Sequence, residues 1–205
     1  MKRINKDKLA LSAPPTVLGY ALLGLLARGE QSGYDLAQGL KDPVGYFWQA
    51  HHSQIYPELG RLEAAGLVQH THVEQSDRPD KKVYRLTPNG STSLRVWLEA
   101  PMEVPKKRDE LVLKAYSMWL SDPKTAAHMM REYARVHAAR KAEFERRLAC
   151  LESQAGGAMW QPDSPWFGIH AVLHRGIGYE REYLEWCEWM AQCLSQTKPP
   201  EQTTR

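Results

Sequence analysis

Apolar side chains occupy nearly every position from Val17 to Ala27 in "TVLGYALLGLLARGE". The run is too continuous for a surface helix and too long for one strand, so it predicts a buried helix ended by Gly29. "SGYDLAQGLKD" follows, with Ser32 as N-cap, Asp35 three residues on as in a capping box, and Pro43 closing a second, short helix. In "HHSQIYPELGRLEAAGLV", residues 51–68, Ile55, Leu59 and Leu62 fall at i, i+4 and i+7 and mark the buried face of a third helix stopped by Gly66. Pro57 is expected in its first turn, where a missing amide hydrogen costs little, which sets the helix start near Ser53. "LVQHTHVEQ" and "KKVYRLT" are β-rich runs separated by "SDRPD", a turn signal, and predict a two-stranded ribbon. Thr87 and Pro88 then supply an N-cap and a first-turn proline for a helix through "NGSTSLRVWLEA".

Helix, helix, helix, ribbon, helix is the order of a winged helix-turn-helix. "APMEVPKK" (100–107) ends it as a linker, and three helical patterns follow: "RDELVLKAYSMWL", a long one opened by Asp122 and Pro123, and "WFGIHAVLHRGIGYEREYLEWCEWMAQCL". "QAGGAMWQPDSP" between the last two reads as a loop. The long helix carries a thin apolar stripe (Ala126, Met129, Met130, Tyr133, Val136, Phe144, Leu148, Leu151) among many cations, which needs another helix to cover it. Pairing between two chains is the economical cover, so a homodimer is expected. The fold class is therefore mainly α: an N-terminal winged helix-turn-helix with a two-stranded ribbon, then a C-terminal all-helical dimerisation domain. The expected divisions are a flexible arm at 1–15, the winged helix at 16–100, a helical dimerisation and effector domain at 108–195, and a disordered tail at 196–205.

The chain has 205 residues, 42% of them apolar and seven of them Trp, enough for a real core. No run approaches the roughly 18–20 apolar residues of a membrane span, and the basic start lacks an apolar signal core, so the expected location is cytoplasmic with no membrane partner. Cys150, Cys187 and Cys193 are widely spaced with no C-x-x-C and read as buried or idle thiols. A net charge of +3 does not announce a nucleic-acid binder, so any such signal must be local.

With Ile55, Leu59 and Leu62 turned inward, the outward set of the third helix is Ser53, Gln54, Tyr56, Glu58 and Arg61, with His52 just before it. The N-terminal part of the second helix of a helix-turn-helix enters the major groove, where such amide, hydroxyl and guanidinium groups meet base edges and phosphates. Arg78, Lys81, Lys82 and Arg85 sit at the ribbon tip and along one strand, where a wing reaches the backbone of the neighbouring groove. With Ser32 and Tyr34 at the start of the second helix, these residues form the candidate contacts to a double-stranded DNA operator.

"GYALLGLLARGEQSGYDL", "FWQAHHSQIYPELGRLEAAGLV", "KKVYRLTPNG", "LEAP" and "RDELVLKAY" together resemble the signature segments of the PadR family of transcriptional regulators, with weaker likeness through "FGIHAVL" and "EYLEW". The resemblance covers most of residues 16–190. It implies a dimeric repressor that releases DNA when a small molecule binds, and it is nearest the branch that responds to phenolic acids such as p-coumarate and ferulate. A small aromatic acid needs an apolar slot for its ring and a cation or donor for its carboxylate. Tyr20, Tyr46, Trp48, Lys114, Tyr116, His170, His174 and Arg175, on segments expected to meet where the two domains join, supply both. Where family members can carry His directly after "FG", this chain has Ile169 and then His170.

Other chemistries fit less well. His170 and His174 stand four apart on a helix, but no Glu follows His170 and no third ligand is evident, so neither a metal nor any other cofactor is expected. The imidazoles of "HTH" (70–72) share one face of a strand and read as solvated or in contact with DNA. No phosphate loop, nucleophile elbow or paired-carboxylate motif suggests catalytic residues or an enzyme. A PadR-like regulator with a different effector or none, or a helical protein-interaction module, are the alternatives; the module would have no use for the cationic ribbon.

Overall fold

A computed structural model of the chain describes residues 14–40, 51–73, 81–102 and 108–196. Several sequence expectations lie outside those residues: the arm through residue 13, the Pro43 helix stop, Tyr46, Trp48, the ribbon tip with Arg78, the linker at 103–107 and the tail from 197. The chain forms two compact units, divided between Glu103 and Val104.

The first unit runs α1 (Val17–Leu26), β1 (Gln31–Ser32), α2 (Gly33–Gly39), α3 (His52–Ala64), β2 (Val68–Val73), β3 (Lys81–Leu86) and α4 (Pro88–Glu99). Local chemistry sets most of these ends. Thr16 caps α1 by accepting from the Gly19 amide at 3.0 Å, and Ser32 and Asp35 form the expected capping box of α2. α3 ends at Gly66, whose φ of 68° suits a residue without a Cβ, and the Leu67 amide donates back to the Leu62 carbonyl at 2.9 Å. Thr87 caps α4 and also donates to the Leu67 carbonyl at 3.0 Å, tying the helix start to the strand start.

β2 and β3 pair antiparallel with Val68 opposite Leu86 and Val73 opposite Lys81. A third strand extends the expected ribbon: β1 pairs with β3, giving the order β1-β3-β2. At two residues, β1 is too short to leave a periodic trace, and Ser32 reads first as a cap. The core gathers Leu22, Leu23, Leu36, Ile55, Leu59, Leu62, Leu67, Val68 and Tyr84 between helices and sheet. Full burial of each such Leu or Ile stabilises by about 1.5–3 kcal/mol.

Two sequence expectations in α3 are corrected. The helix begins one residue earlier, capped at His51, whose carbonyl accepts from the Gln54 amide at 2.9 Å while its own amide donates to Gln54 Oε1 at 3.3 Å. Pro57 is therefore the sixth helical residue rather than a first-turn one, and the Ser53 carbonyl lacks its i+4 amide donor. Glu58 was expected to face outward, yet it is only 2% exposed. It lies at i+3 from Ile55 and i−4 from Leu62, inside the buried stripe. The carboxylate is accommodated because the Thr16 hydroxyl donates to Oε1 at 2.7 Å and Arg61 pairs with Oε2 at 3.0 Å.

The second unit comprises α5 (Glu110–Tyr116), a 3-10 turn at Met118–Leu120, α6 (Pro123–Ala155), a 3-10 segment at Gly156–Trp160 and α7 (Pro165–Ser195). The segment expected as loop is thus partly helical, and Met159 within it is buried. α6 and α7 lie antiparallel. Arg131 donates to Ser195 at one end, and Leu151 packs with Leu173 at the other. The apolar stripe of α6 is therefore covered by α7 of the same chain, through Met130, Ala134, Phe144 and Leu151. That cover accounts for part of the stripe; Tyr133 and Val136 of α6 stay exposed, and so, among others, do Leu113, Tyr116, Trp119 and Leu120. Midway along the pair, His137 Nδ1 and Glu180 Oε2 meet at 2.6 Å, both buried, with Tyr183 stacked on the imidazole. Among the described residues no helix is long and apolar enough to cross a membrane.

Candidate nucleic-acid interface

The inward set Ile55, Leu59 and Leu62 fixes α3 to the core, and Ser53, Gln54 and Tyr56 occupy the exposed side of its N-terminal half. Tyr56 lies over the start of α2: a Cβ built on Gly33 would stand 2.6 Å from its ring. Tyr34, also exposed, follows directly. The helix starts of α2 and α3 thus present one surface. β3 borders it on one side, since Ser32 at the start of α2 pairs with Val83, and the Ser32 hydrogen bonds hold the Asp35 carboxyl below the usual carboxylate range.

Individual candidates differ in what they have free to offer. Ser32 is buried, and its hydroxyl is engaged with Asp35 at 2.6 Å, so it shapes the start of α2 and is not a surface donor. Gln54 spends its amide oxygen on the His51 cap and keeps its NH2 group. Arg61 is tethered to Glu58 by one nitrogen, with two-thirds of its side chain in solvent. His52 opens α3, and its side chain lies outside the described part.

On the wing, Lys82 stands opposite His72 and Arg85 opposite Gln69. Alternation puts Lys81 and Arg85 on one face and Lys82 on the other, the face of the buried Tyr84. The Arg85 guanidinium donates to the Gln69 amide oxygen across the strand pair. The wing cations therefore do not share a single face, although Lys81 and Lys82 both sit exposed at the far end of the described ribbon.

The effector candidates fall in both units. In the first, Tyr20 is stacked on Trp97 with centroids 4.6 Å apart and planes 8° from parallel. In the second, His170 is buried edge-on to Trp160 at 4.4 Å, and exposed His174 lies 6.2 Å further along the same helix face. Arg175 lies over the Tyr179 ring at 5.3 Å. Lys114 pairs with Glu110 at 2.8 Å, which raises the ammonium pKa, and Tyr116 is exposed. Sequence reasoning missed Trp97 and Trp160, the ring partners of Tyr20 and His170; aromatic content alone did not say which rings would meet.

Two family models match: residues 22–96 fit the transcriptional regulator PadR-like family, and residues 107–195 fit the virulence activator alpha C-terminal family. The negative transcriptional regulator PadR of Bacillus subtilis is 35% identical over 173 residues, spanning 84% of this chain and 94% of the relative. This chain belongs to the PadR family of transcriptional regulators. The PadR-like match runs from α1 into α4, so it covers the whole candidate interface, and the second match covers α5 to α7. The crystal structure of B. subtilis PadR in complex with operator DNA superposes with a TM-score of 0.79 at 32% identity, over 88% of this chain and 100% of that one. The same protein in complex with p-coumaric acid gives 0.73 at 31% identity, with the same coverage. The Vibrio cholerae virulence activator AphA, at 23% identity and a TM-score of 0.66, covering 86% of this chain and 97% of that one, shares the PadR fold.

Proposed function

We propose that the protein is a homodimeric, ligand-responsive transcriptional repressor that binds a pseudo-palindromic operator and is released by a small aromatic acid. The observation that carries this reading is the exposed surface of Tyr34, Ser53, Gln54 and Tyr56 at the paired starts of α2 and α3, with Lys81 on β3, within a chain that matches a DNA-bound PadR over that relative's full length. The α3 helices of two protomers would enter successive major grooves about 34–36 Å apart or a multiple of it. Gln54 and Tyr56 would contact base edges, and Arg61, Lys81, Lys82 and Arg85 would contact phosphates.

The exposed apolar residues of α5 and the turn after it, together with Val136 on α6, support a second copy as partner. The phenolic effector is supported by the p-coumaric acid complex of the B. subtilis relative and by rings and cations present here. Within the second unit, His170, His174 and Arg175 on one stretch of α7 would receive a carboxylate, and Trp160 beside His170 would offer aromatic contact. Release follows if the effector binds the DNA-free form more tightly, and that differential affinity sets the size of the shift. A protein acting on the chromosome in this way works in the cytoplasm.

The test is anisotropy of a duplex selected from random sequence by the full-length protein, titrated with p-coumaric acid, ferulic acid and hydroxybenzoates. The expected result is a dimer on each duplex and dissociation by at least one of the acids. Tight binding that none of them weakens overturns the effector assignment and leaves the repressor assignment standing.

A further inference from the structure

The wing carries a group of side chains outside the DNA contacts proposed above. Glu63, on the C-terminal half of α3, accepts at Oε1 from the His70 backbone amide at 3.2 Å and meets His70 Nδ1 at 2.6 Å. On the same strand face, His70 Nε2 and His72 Nε2 stand 3.2 Å apart, with the ring centroids 4.9 Å apart and the planes at 72°. Tyr84 and Lys82, on β3, are the cross-strand neighbours of His70 and His72.

A carboxylate on Nδ1 fixes one tautomer: the proton sits on Nδ1 and the Nε2 lone pair points outward. That is how a metal-ligating histidine is oriented by its carboxylate partner. Two nitrogens each bound at about 2.0–2.1 Å to one tetrahedral ion lie roughly 3.3 Å apart, close to the spacing of these two Nε2 atoms. The two Nε2 atoms face each other across that gap. With the His72 proton on its own Nδ1, both lone pairs are free to converge on one ion.

We propose that His70 and His72 form a two-nitrogen site for a borderline divalent transition-metal ion, with Zn(II) as the representative, on the outer half of the wing. Imidazole pairs of this kind suit Zn, Cu and Ni over Mg or Ca, whose coordination favours oxygen. Among the described residues no cluster of three or more His, Cys, Asp or Glu is placed to hold a metal, so water completes the coordination. Glu63 is a positioning residue that also offsets the charge of the ion and of nearby Lys82. The site stands on its own geometry and does not depend on the DNA-binding reading.

The test is calorimetric titration of the full-length protein with zinc chloride, alongside histidine nitrogen NMR. The expected result is a site whose uptake shifts the Nε2 resonances of His70 and His72. His72→Gln, at an exposed position and so harmless to folding by thermal melt, should weaken that site at least tenfold. Glu63→Gln should weaken it about 10–100-fold while leaving both ligands in place. His170→Gln should leave it unchanged, which separates it from the other histidine pair. Equal zinc affinity in His72→Gln and the parent, or Nε2 resonances unmoved by zinc, overturns the proposal.

Discussion

Replacing His137 by Leu strands the Glu180 carboxylate in the interior between α6 and α7. Both groups are almost inaccessible, at 7% and 5% exposure, and their contact of 2.6 Å is the carboxylate's side-chain partner across the helix pair. Removing one partner of a buried hydrogen bond leaves the other polar group unsatisfied and costs about 1–3 kcal/mol, more where that group is charged. The stacking of Tyr183 on the imidazole adds roughly 0.5–1.5 kcal/mol that Leu does not replace. For a domain the size of the second unit each kcal/mol moves Tm by about 4–8 °C, so the lower bound is a fall of roughly 6 °C. Glu180→Leu should cost less, since the imidazole it leaves behind keeps its stacking on Tyr183. The double Leu variant should recover most of the loss, because apolar replacement of a whole buried pair is often neutral. Circular dichroism melts at fixed protomer concentration measure all four members of the cycle. A His137→Leu melt within a few degrees of the parent, or a double variant no better than that single one, would refute the reasoning. Since this unit is the proposed dimerisation element, loss of its packing should also weaken DNA binding at low protein concentration.

Gly33→Ala would bring a methyl within 2.6 Å of the Tyr56 ring, so the ring must swing off α2. Because Tyr56 is half-exposed, the melt should change little while specific DNA affinity falls, and unchanged affinity would remove Tyr56's placement from the account. Lys81→Ala with Lys82→Ala should reduce the slope of log affinity against log salt by about two phosphate contacts, as measured by anisotropy at several salt concentrations; an unchanged slope would place those contacts elsewhere. Burial, reinforced by Asp109 and Glu188, pushes the Cys187 thiol up to about 11, whereas Cys150 is exposed. A thiol reagent at pH 8 should therefore modify Cys150 quickly and Cys187 only on unfolding, and equal rates in the folded protein would contradict the burial.

Long periodic segments were readable from the chain because capping residues open several of them: Ser32 with Asp35, Thr87, and Asp122 with Pro123. The inner face of α3 followed from the spacing of Ile55, Leu59 and Leu62. The same spacing also places Glu58 inside, and polarity masked it, because a charged side chain reads as exposed until its partners are known. Those partners, Thr16 and Arg61, include one that is 42 residues away in the chain. Distance along the chain hid β1 for a related reason, since two residues carry no period and only their pairing with β3 makes them a strand. The cover of α6 depended on α7 folding back through a turn that composition presents as loop. At the candidate interface, residue types and helix face were legible. The commitment of the Ser32 hydroxyl to a cap was legible too, but that of the Gln54 amide oxygen was not, since the cap at His51 follows from a helix start that only the folded backbone discloses.

The central claim is that the α2 and α3 starts read DNA sequence. The most direct test compares the affinity of the parent and of Gln54→Ala and Tyr56→Ala for a selected duplex and for a scrambled duplex of equal length and salt. The parent should prefer the selected duplex by about 10³-fold or more, and each variant should lose affinity for that duplex while its binding to the scrambled one stays nearly constant. Equal affinity of the parent for both duplexes, or equal losses on both in the variants, would contradict base readout by this surface.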